Sequence, residues 1–333
     1  MNSKYKNLLS NLILVIGWIF IAFYGLYYNS FNNMWIMVFT VPFILVRSCL
    51  LGKLHFDINL LFLMETFFIK AMLDQHIGKE AIVPTTMALP MLMYLFGKLL
   101  AADTGKKVNI SVLALTFGIS ILGMINAFLT SKSPVKVMGY YSVAFTDNTF
   151  YTDALSYYFN FIFIAAVVVG LIIFLIYKKT DGIEAILKFR GLILAFLLAI
   201  TMFVITVKYI KTENFLAFKQ GVGLMITKHW GNFGLDLTYN NSTSNMWLDY
   251  GRDYGILVFG TLFIFFILTI KDVIKLAVNK NVGIFTRTTL IIAFIGTNIY
   301  YFTDSFAYIY PQYWYIGLVV CGMISEVAKN EDK

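Results

Sequence analysis

The stretch LDYGRDYGILVFGTLFIFFILTI (residues 248–270) predicts a helix that crosses a membrane. After Asp253 it carries no charged side chain, and an apolar run of about twenty residues is long enough to span a bilayer. Its beginning differs, because Asp249, Arg252 and Asp253 place three formal charges where the apolar run begins. Charges at the edge of a span usually face a protein cavity rather than lipid. The stretch therefore predicts a span with a charged site at its mouth.

The rest of the chain indicates that the whole molecule is an all-α integral membrane protein. Only 13% of its 333 residues are charged and 59% are hydrophobic, whereas a soluble protein has roughly 25% charged residues. Ten apolar runs are predicted to span the membrane: 8–28, 34–51, 56–74, 82–101, 108–129, 155–177, 190–209, 248–270, 286–304 and 311–327. The first run is interpreted as a retained span rather than a signal peptide, because no small-residue cleavage pattern follows it. Without a repeat or a linker, residues 1–333 are predicted to form a single polytopic domain.

The distribution of basic residues predicts the orientation. With the N- and C-termini in the cytoplasm, most of the 26 Lys and Arg residues fall in short cytoplasmic loops, as the positive-inside rule requires. The net charge of +8 is therefore attributed to topology, and no nucleic-acid partner is predicted. The largest extracytoplasmic loop, 210–247, connects spans seven and eight, and loops of this length are usually functional.

Several kinds of chemistry are disfavoured by what the sequence lacks. It contains no GxxxxGK[ST], HExxH or GxSxG motif, which argues against a nucleotide phosphate loop, a helical zinc-protease site and a nucleophile elbow. Only three histidines and two cysteines are present. The first outer loop has no carboxylate of the kind that metal-dependent lipid-phosphate glycosyltransferases place there. The sequence therefore predicts neither a metal site nor a cofactor.

The loop before span eight combines cations, carboxylates and aromatic side chains. Lys208, Lys211, His229 and Arg252 are interleaved with Trp and Tyr residues. Aromatic rings stack on sugars and also favour membrane interfaces, and Arg and Lys bind phosphate. This composition at an outer membrane face suits a sugar carried on a lipid diphosphate.

Two motifs in this region resemble the O-antigen polymerase and ligase superfamily, in particular the Wzy-type polysaccharide polymerases. GVGL (221–224) is followed about twenty residues later by NSTSNMWLDYGRDYGILVFG (241–260). The family has Gly-x-Gly in a large outer loop, then His-x-x-Asn-x-aromatic-Leu, then a span that begins with a Gly–aliphatic step. Asn245, Trp247 and Leu248 match the second element, and Tyr254-Gly255-Ile256 match the last. Arg252-Asp253 before Tyr-Gly resembles the polymerase branch.

The resemblance implies a GT-C-like, metal-independent glycosyltransferase in the bacterial plasma membrane. Such an enzyme joins undecaprenyl-diphosphate-linked oligosaccharide repeat units on the outer face, with lipid-linked donor and acceptor as partners and, in some systems, a chain-length regulator. Three alternatives stay open. One is a ligase of the same superfamily, which transfers the glycan to a different acceptor. Another belongs to a different class, a flippase or transporter of lipid-linked oligosaccharides. The third is a structural subunit of a synthesis complex.

Candidate site residues follow from the loop composition and the resemblance. Candidate catalytic residues on the acceptor side are His229, Asp249 and Asp253. Candidate substrate-binding residues are Arg252, Lys208, Lys211, Asn245, Tyr250, Arg47 and Asp304. Among them Arg252 is the first choice for the diphosphate, with Lys208 and Lys211 next.

The motif departs from the family at one position. Thr243 and Ser244 stand where the family often has a histidine, and a hydroxyl is no base near neutral pH. Three possibilities then stay open for the base: it is His229, it is a carboxylate, or the reaction needs no side-chain base.

Local spacing adds three expectations about pairing. Asn245 is a candidate helix N-cap, and Asp249 can pair with Arg252 three residues later. Arg252 and Asp253 are adjacent and are expected on different sides of a helix. Glu65 and Lys70 are expected to pair within the third span.

Overall fold

The computed structural model describes residues 3–27, 33–53, 55–76, 83–103, 105–123, 125, 148–179, 245–303 and 311–329. Over these ranges the fold is helical and contains no strand. The helices in chain order are α1 Ser3–Tyr27, α2 Asn33–Leu51, α3 Ile58–His76, α4 Val83–Leu100, α5 Lys106–Phe117 with a π-helical turn Gly118–Leu122, α6 Asn148–Lys179, α7 Met246–Tyr254, α8 Ile256–Val278, α9 Ile284–Thr303 and α10 Pro311–Ala328.

The all-α prediction is confirmed for the described ranges. Within these ranges, three helical segments are long and apolar enough to cross a membrane: Tyr5–Tyr24, Met34–Leu51 and Ile256–Val278. Met87–Leu100 and Ile162–Tyr177 are shorter apolar helices. The predicted seventh span, most of the loop 210–247, and the candidates Lys208, Lys211, His229 and Asp304 lie outside the described residues.

The prediction of one helix over residues 248–270 is wrong in one respect. The chain forms two helices there, α7 and α8, which are separated at Gly255. Gly255 has φ 86° and ψ −178°, a backbone conformation that is essentially restricted to glycine. The apolar helix therefore begins at Ile256, and the three charges lie on a separate short helix before it.

Helix α3 runs antiparallel to α8 and α7. Along α3, Asn59 donates a hydrogen bond to Asp272 (2.8 Å), and Thr66 donates one to Thr261 (2.8 Å). Further along, the Lys70 ammonium lies 4.5 Å from the centre of the Tyr254 ring. As the residue number rises along α3, the number of its partner falls, first along α8 and then into α7.

Helices α4 and α10 form the closest contact in the core. A Cβ at Gly97 would overlap the backbone of Val319, and a Cβ at Gly322 would overlap the carbonyl of Tyr94. Small residues let two helices approach until their backbones touch, as is common between membrane helices. Helices α8 and α9 also pack against α10, and nearly all of its residues are buried.

Side-chain contacts define two opposite ends of the helix bundle. The Asp57 end contains the loop between α2 and α3 and the C-terminal end of α10. A hydrogen bond from Lys329 to Asp57 (2.8 Å) connects these two segments. The Arg252 end contains α7 and the N-terminal end of α10. Asn59 and Lys70 are eleven positions apart on α3, which is about 16 Å along a helix.

Candidate functional site: a buried charged cluster on α7

The short helix α7 carries the predicted charges and is fixed at both ends. Asn245 is its N-cap, because its side-chain oxygen accepts a hydrogen bond from the Leu248 backbone N–H (3.1 Å). The Asn245 amide also donates to the Phe302 carbonyl on α9 (3.3 Å). Gly255 ends the helix. The N-cap prediction is confirmed, and the helix is held against α9 as well as against α8.

Arg252 connects the two carboxylates of α7. It forms an ion pair with Asp249 through Nη1 and Oδ1 (3.0 Å), and it donates hydrogen bonds from Nε to Asp253 Oδ1 (2.7 Å) and from Nη2 to Asp253 Oδ2 (3.0 Å). The predicted pairing of Asp249 with Arg252 is confirmed. The expectation that Arg252 and Asp253 point to different sides is wrong, because the long Arg252 side chain folds back onto its neighbour.

All three charged residues of α7 are buried, and Lys70 is buried beside the same helix. Their exposed fractions are 1% for Asp249, 4% for Asp253, 9% for Arg252 and 8% for Lys70. Phe67, one turn before Lys70, packs edge-on against Tyr250 of α7, with ring centres 6.1 Å apart. We call Asp249, Arg252, Asp253 and Lys70 the α7 cluster.

The expected pairing of Lys70 with Glu65 is wrong. Glu65 is exposed, and among the described residues no ion pair is formed by it. Leu61 and Phe68 are also exposed on α3, so Glu65 lies on its outward-facing stripe, where residues three and four apart adjoin. Lys70 points to the opposite side of the helix, toward Tyr254.

Aromatic side chains of α7 pack against α9 and α10. Trp247 stacks on Phe302 (ring centres 5.7 Å) and meets Trp314 edge-on (5.4 Å). Tyr250 lies 6.5 Å from Trp314. Among the described residues, neither the Trp247 nor the Trp314 indole N–H has a hydrogen-bond acceptor. Each buried donor that lacks an acceptor within these residues carries a free-energy cost of about 1–3 kcal/mol.

Arg47 does not lie with the other described candidates. It donates hydrogen bonds to Ser10 of α1 and to Asp103 after α4, and its side chain is fully buried. These partners belong to the Asp57 end of the bundle. The structure therefore brings together Asn245, Asp249, Tyr250, Arg252 and Asp253, and places Arg47 at the opposite end.

A second charged cluster, centred on Asp57, was missed by the sequence interpretation. Asp57 caps α3 by accepting from the Leu60 N–H (2.8 Å). The same carboxylate forms ion pairs with Lys98 and Lys329 and accepts from Ser325 (2.8 Å). An Asp directly before an apolar run is a recognisable cap signal. Its partners Lys98 and Lys329 lie 41 and 272 residues away in the sequence, and no local pattern predicts them.

The electrostatics of Asp57 follow from these contacts. Burial disfavours its charged form, but Lys98 and the hydrogen bonds from Lys329 and Lys98 outweigh burial and lower the pKa of Asp57 well below its usual range. Asp57 is therefore a carboxylate at neutral pH. It holds the start of α3, α4 and the end of α10 together.

The described residues offer no group of three His, Cys, Asp or Glu side chains arranged for a metal ion. The α7 cluster itself contains two carboxylates and two cations.

Comparisons with known proteins add no relative: no family model, curated protein or solved structure matches the chain.

Proposed function

We propose that this protein is a ten-span, GT-C-like polysaccharide polymerase in the bacterial plasma membrane, with both termini in the cytoplasm. It joins lipid-diphosphate-linked oligosaccharide repeat units on the outer face. The proposal rests on the motif resemblance around α7 and on one structural observation. Within the described residues, the predicted charges of α7 are buried together, beside Lys70 and unsatisfied tryptophan donors. Buried ionisable groups in a membrane protein are costly and are usually functional.

The proposed reaction is a single displacement at the anomeric carbon of the donor sugar. The bond from that carbon to the diphosphate oxygen breaks, and the diphosphate leaves with the electron pair. The acceptor hydroxyl oxygen bonds to the carbon and loses its proton to a carboxylate, which releases it to solvent. Arg252 contacts one oxygen of Asp249 and both oxygens of Asp253. Asp249 and Asp253, the two carboxylates of α7, are the candidates for receiving the proton.

In this proposal Arg252 orients the two carboxylates. A guanidinium that bridges two carboxylates fixes both in position, and orientation of the acceptor hydroxyl contributes strongly to the rate of a displacement. Asn245 supports this arrangement by anchoring the start of α7 to α9.

The test is a reconstituted polymerisation. Purified full-length protein in nanodiscs receives lipid-diphosphate-linked repeat units, a chelator and no nucleotide sugar, and mass spectrometry reads the products. We expect a ladder of two, three and more repeats on one lipid. Asp249→Asn should lower the rate by about a hundredfold or more, because general-base catalysis contributes roughly that factor.

Glu65→Gln is the matched control, since it removes an exposed carboxylate outside the α7 cluster. It should leave the ladder unchanged. A wild-type protein that forms no ladder, but transfers one glycan to a lipid-core or cell-wall acceptor, would replace the polymerase with the ligase.

A lipid-linked oligosaccharide flippase is the second candidate, and the Asp57 cluster favours it. The ion pairs of Asp57 with Lys98 and Lys329 join α3, α4 and α10 at the end opposite to α7. In a transporter that works by rocking of helix groups, ion pairs of this kind would break when that end opens. Flipping of a fluorescent lipid-diphosphate oligosaccharide in vesicles would distinguish the two. A flippase should move the lipid without forming a ladder, and Asp57→Asn should change its rate.

A further inference from the structure

We propose that the C-terminal part of α8 is a binding site for an anionic phospholipid, in which Lys271 and Lys275 hold the headgroup phosphate and apolar side chains on the same helix face contact an acyl chain. This inference goes beyond the proposed polymerase activity and requires only that α8 spans a membrane. The site belongs to the Asp57 end of the bundle, because Asp272 of α8 accepts a hydrogen bond from Asn59 at the start of α3 (2.8 Å).

An exposed apolar face runs along α8, and we call it the α8 stripe. Its large apolar side chains are 40–50% exposed: Leu257, Ile264, Ile267, Ile274 and Val278. Together with Gly260 and Lys271 they follow one another at intervals of three and four residues, so they share one face of the helix. Since α8 is long and apolar enough to cross a membrane, the α8 stripe is a surface for lipid chains.

Two lysines interrupt the apolar character of this face. Lys271 lies on the α8 stripe between Ile267 and Ile274, and Lys275 follows one turn later; both lysines are exposed. Residues four apart adjoin on the surface of a helix, so the two ammonium groups can contact one phosphate. A lysine on a membrane helix lays its carbon chain along the apolar surface and extends its ammonium to the headgroups. The α8 stripe thus offers an apolar surface next to positive charge, as a phospholipid has its chain next to its phosphate.

These two lysines form no ion pair with a carboxylate among the described residues. Asp272 lies between them in the sequence, but it is buried and accepts from Asn59 on the inner side of the helix. The ion pairs of Asp57, Asp103 and Glu326, at the same end of the bundle, are with other cations. The carboxylates of this end are therefore used inside the protein, and the α8 stripe presents positive charge to its surroundings.

An anionic phospholipid is the ligand that matches both parts of this surface. A soluble phosphate would use the two lysines and leave the apolar residues without a partner. A zwitterionic phospholipid carries its own cation beside the phosphate, so it gains less from two ammonium groups. The proposed topology places the Asp57 end at the cytoplasmic leaflet, whose anionic lipids favour basic residues near the surface by about fivefold for each lysine. Two lysines then give a preference on the order of twentyfold.

The experiment measures lipid binding by native mass spectrometry. Full-length protein in a neutral detergent is titrated with phosphatidylglycerol and with phosphatidylcholine that has the same acyl chains, and the spectra give the Kd of the first lipid bound. The wild type should bind phosphatidylglycerol about twentyfold more tightly. The double variant Lys271→Gln, Lys275→Gln should bind the two lipids with Kd values within about threefold of each other. Lys271→Arg, Lys275→Arg should keep the preference, because it keeps both charges.

The matched control is the double variant Lys53→Gln, Lys106→Gln. It removes the same charge from two exposed lysines of the Asp57 end that lie outside the α8 stripe, and it should keep the preference for phosphatidylglycerol. Both double variants should have the Tm of the wild type, since these lysines form no ion pair with a described residue.

Three results would overturn the site. One is a wild type that binds both lipids equally. Another is an equal loss of preference in the two double variants, which would mean a diffuse attraction to the whole basic end. The third is displacement of the bound lipid by glycerol phosphate, which would indicate a site for a soluble phosphate. The product ladder tests the polymerase separately, because lysine-dependent lipid binding is measured without any glycan substrate.

Discussion

Arg252 and Asp253 are neighbours in the chain, yet they form two hydrogen bonds of 2.7 and 3.0 Å with each other, and both are buried. Because Arg252 also reaches Asp249 (3.0 Å), a single guanidinium holds two carboxylates. The stability of α7 and its chemistry therefore depend on the same three side chains.

Removing Arg252 alone should be more harmful than removing all three charges. Arg252→Met leaves two buried carboxylates without their cation, and breaking a buried pair costs about 3–5 kcal/mol of the free energy of unfolding. The triple variant Arg252→Met, Asp249→Asn, Asp253→Asn should regain much of that loss. Thermal unfolding in detergent checks this, and a triple variant with a Tm below that of Arg252→Met would contradict it.

Gly255 is required where α7 meets α8. Gly255→Ala forces a side chain into φ 86°, ψ −178°, a strain of about 1–3 kcal/mol. Gly260 on α8 is the matched control, because a Cβ there meets nothing within 4 Å, so Gly260→Ala should be neutral or stabilising by up to about 1 kcal/mol. Equal Tm values for the two variants would show that the break at Gly255 has no structural importance.

Asp57 should contribute stability over most of the pH range. Its folded pKa is lowered relative to the unfolded chain, so its contribution is complete above the unfolded value of about 3.9 and is lost as the pH falls through and below it. Asp57→Asn should lower the free energy of unfolding by about 3 kcal/mol at pH 7.

The Tm difference between wild type and Asp57→Asn, measured in detergent, should be the same at pH 7 and pH 5 and should shrink below about pH 4. A difference that grows on acidification would mean that Asp57 is not the ionised centre of this cluster.

The indole N–H groups of Trp247 and Trp314 should matter for the glycan rather than for the fold. Trp314→Phe removes a donor that has no acceptor among the described residues, so affinity for a lipid-linked repeat unit should fall by about tenfold. Binding of farnesyl diphosphate, which lacks sugar, should not change.

Trp18→Phe is the control for that experiment. The Trp18 indole donates to Ser111 (2.9 Å) between α1 and α5, so its loss should lower the Tm and leave glycan binding unchanged. Glycan affinities that are equal in wild type and Trp314→Phe would remove the tryptophans from the substrate site.

Apolar patterns alone locate most of the helices in the described ranges. Apolar runs such as 34–51 and 311–327 become helices at nearly the same residues, because backbone groups in an apolar environment must be satisfied within the segment. The N-cap at Asn245 and the pairing of Asp249 with Arg252 were also predictable, since both depend on residues three positions apart.

Tertiary structure decided which charged residues meet. Glu65 and Lys70 share a helix, yet only Lys70 turns inward, because α7 lies on that side of α3. Asp57, Lys98 and Lys329 converge from three distant segments, and the separation of Arg47 from α7 depends on which end of the bundle each helix reaches. Local spacing predicts contacts within one helix turn, whereas contacts between helices depend on packing, to which glycines such as Gly97 and Gly322 contribute by their lack of a side chain.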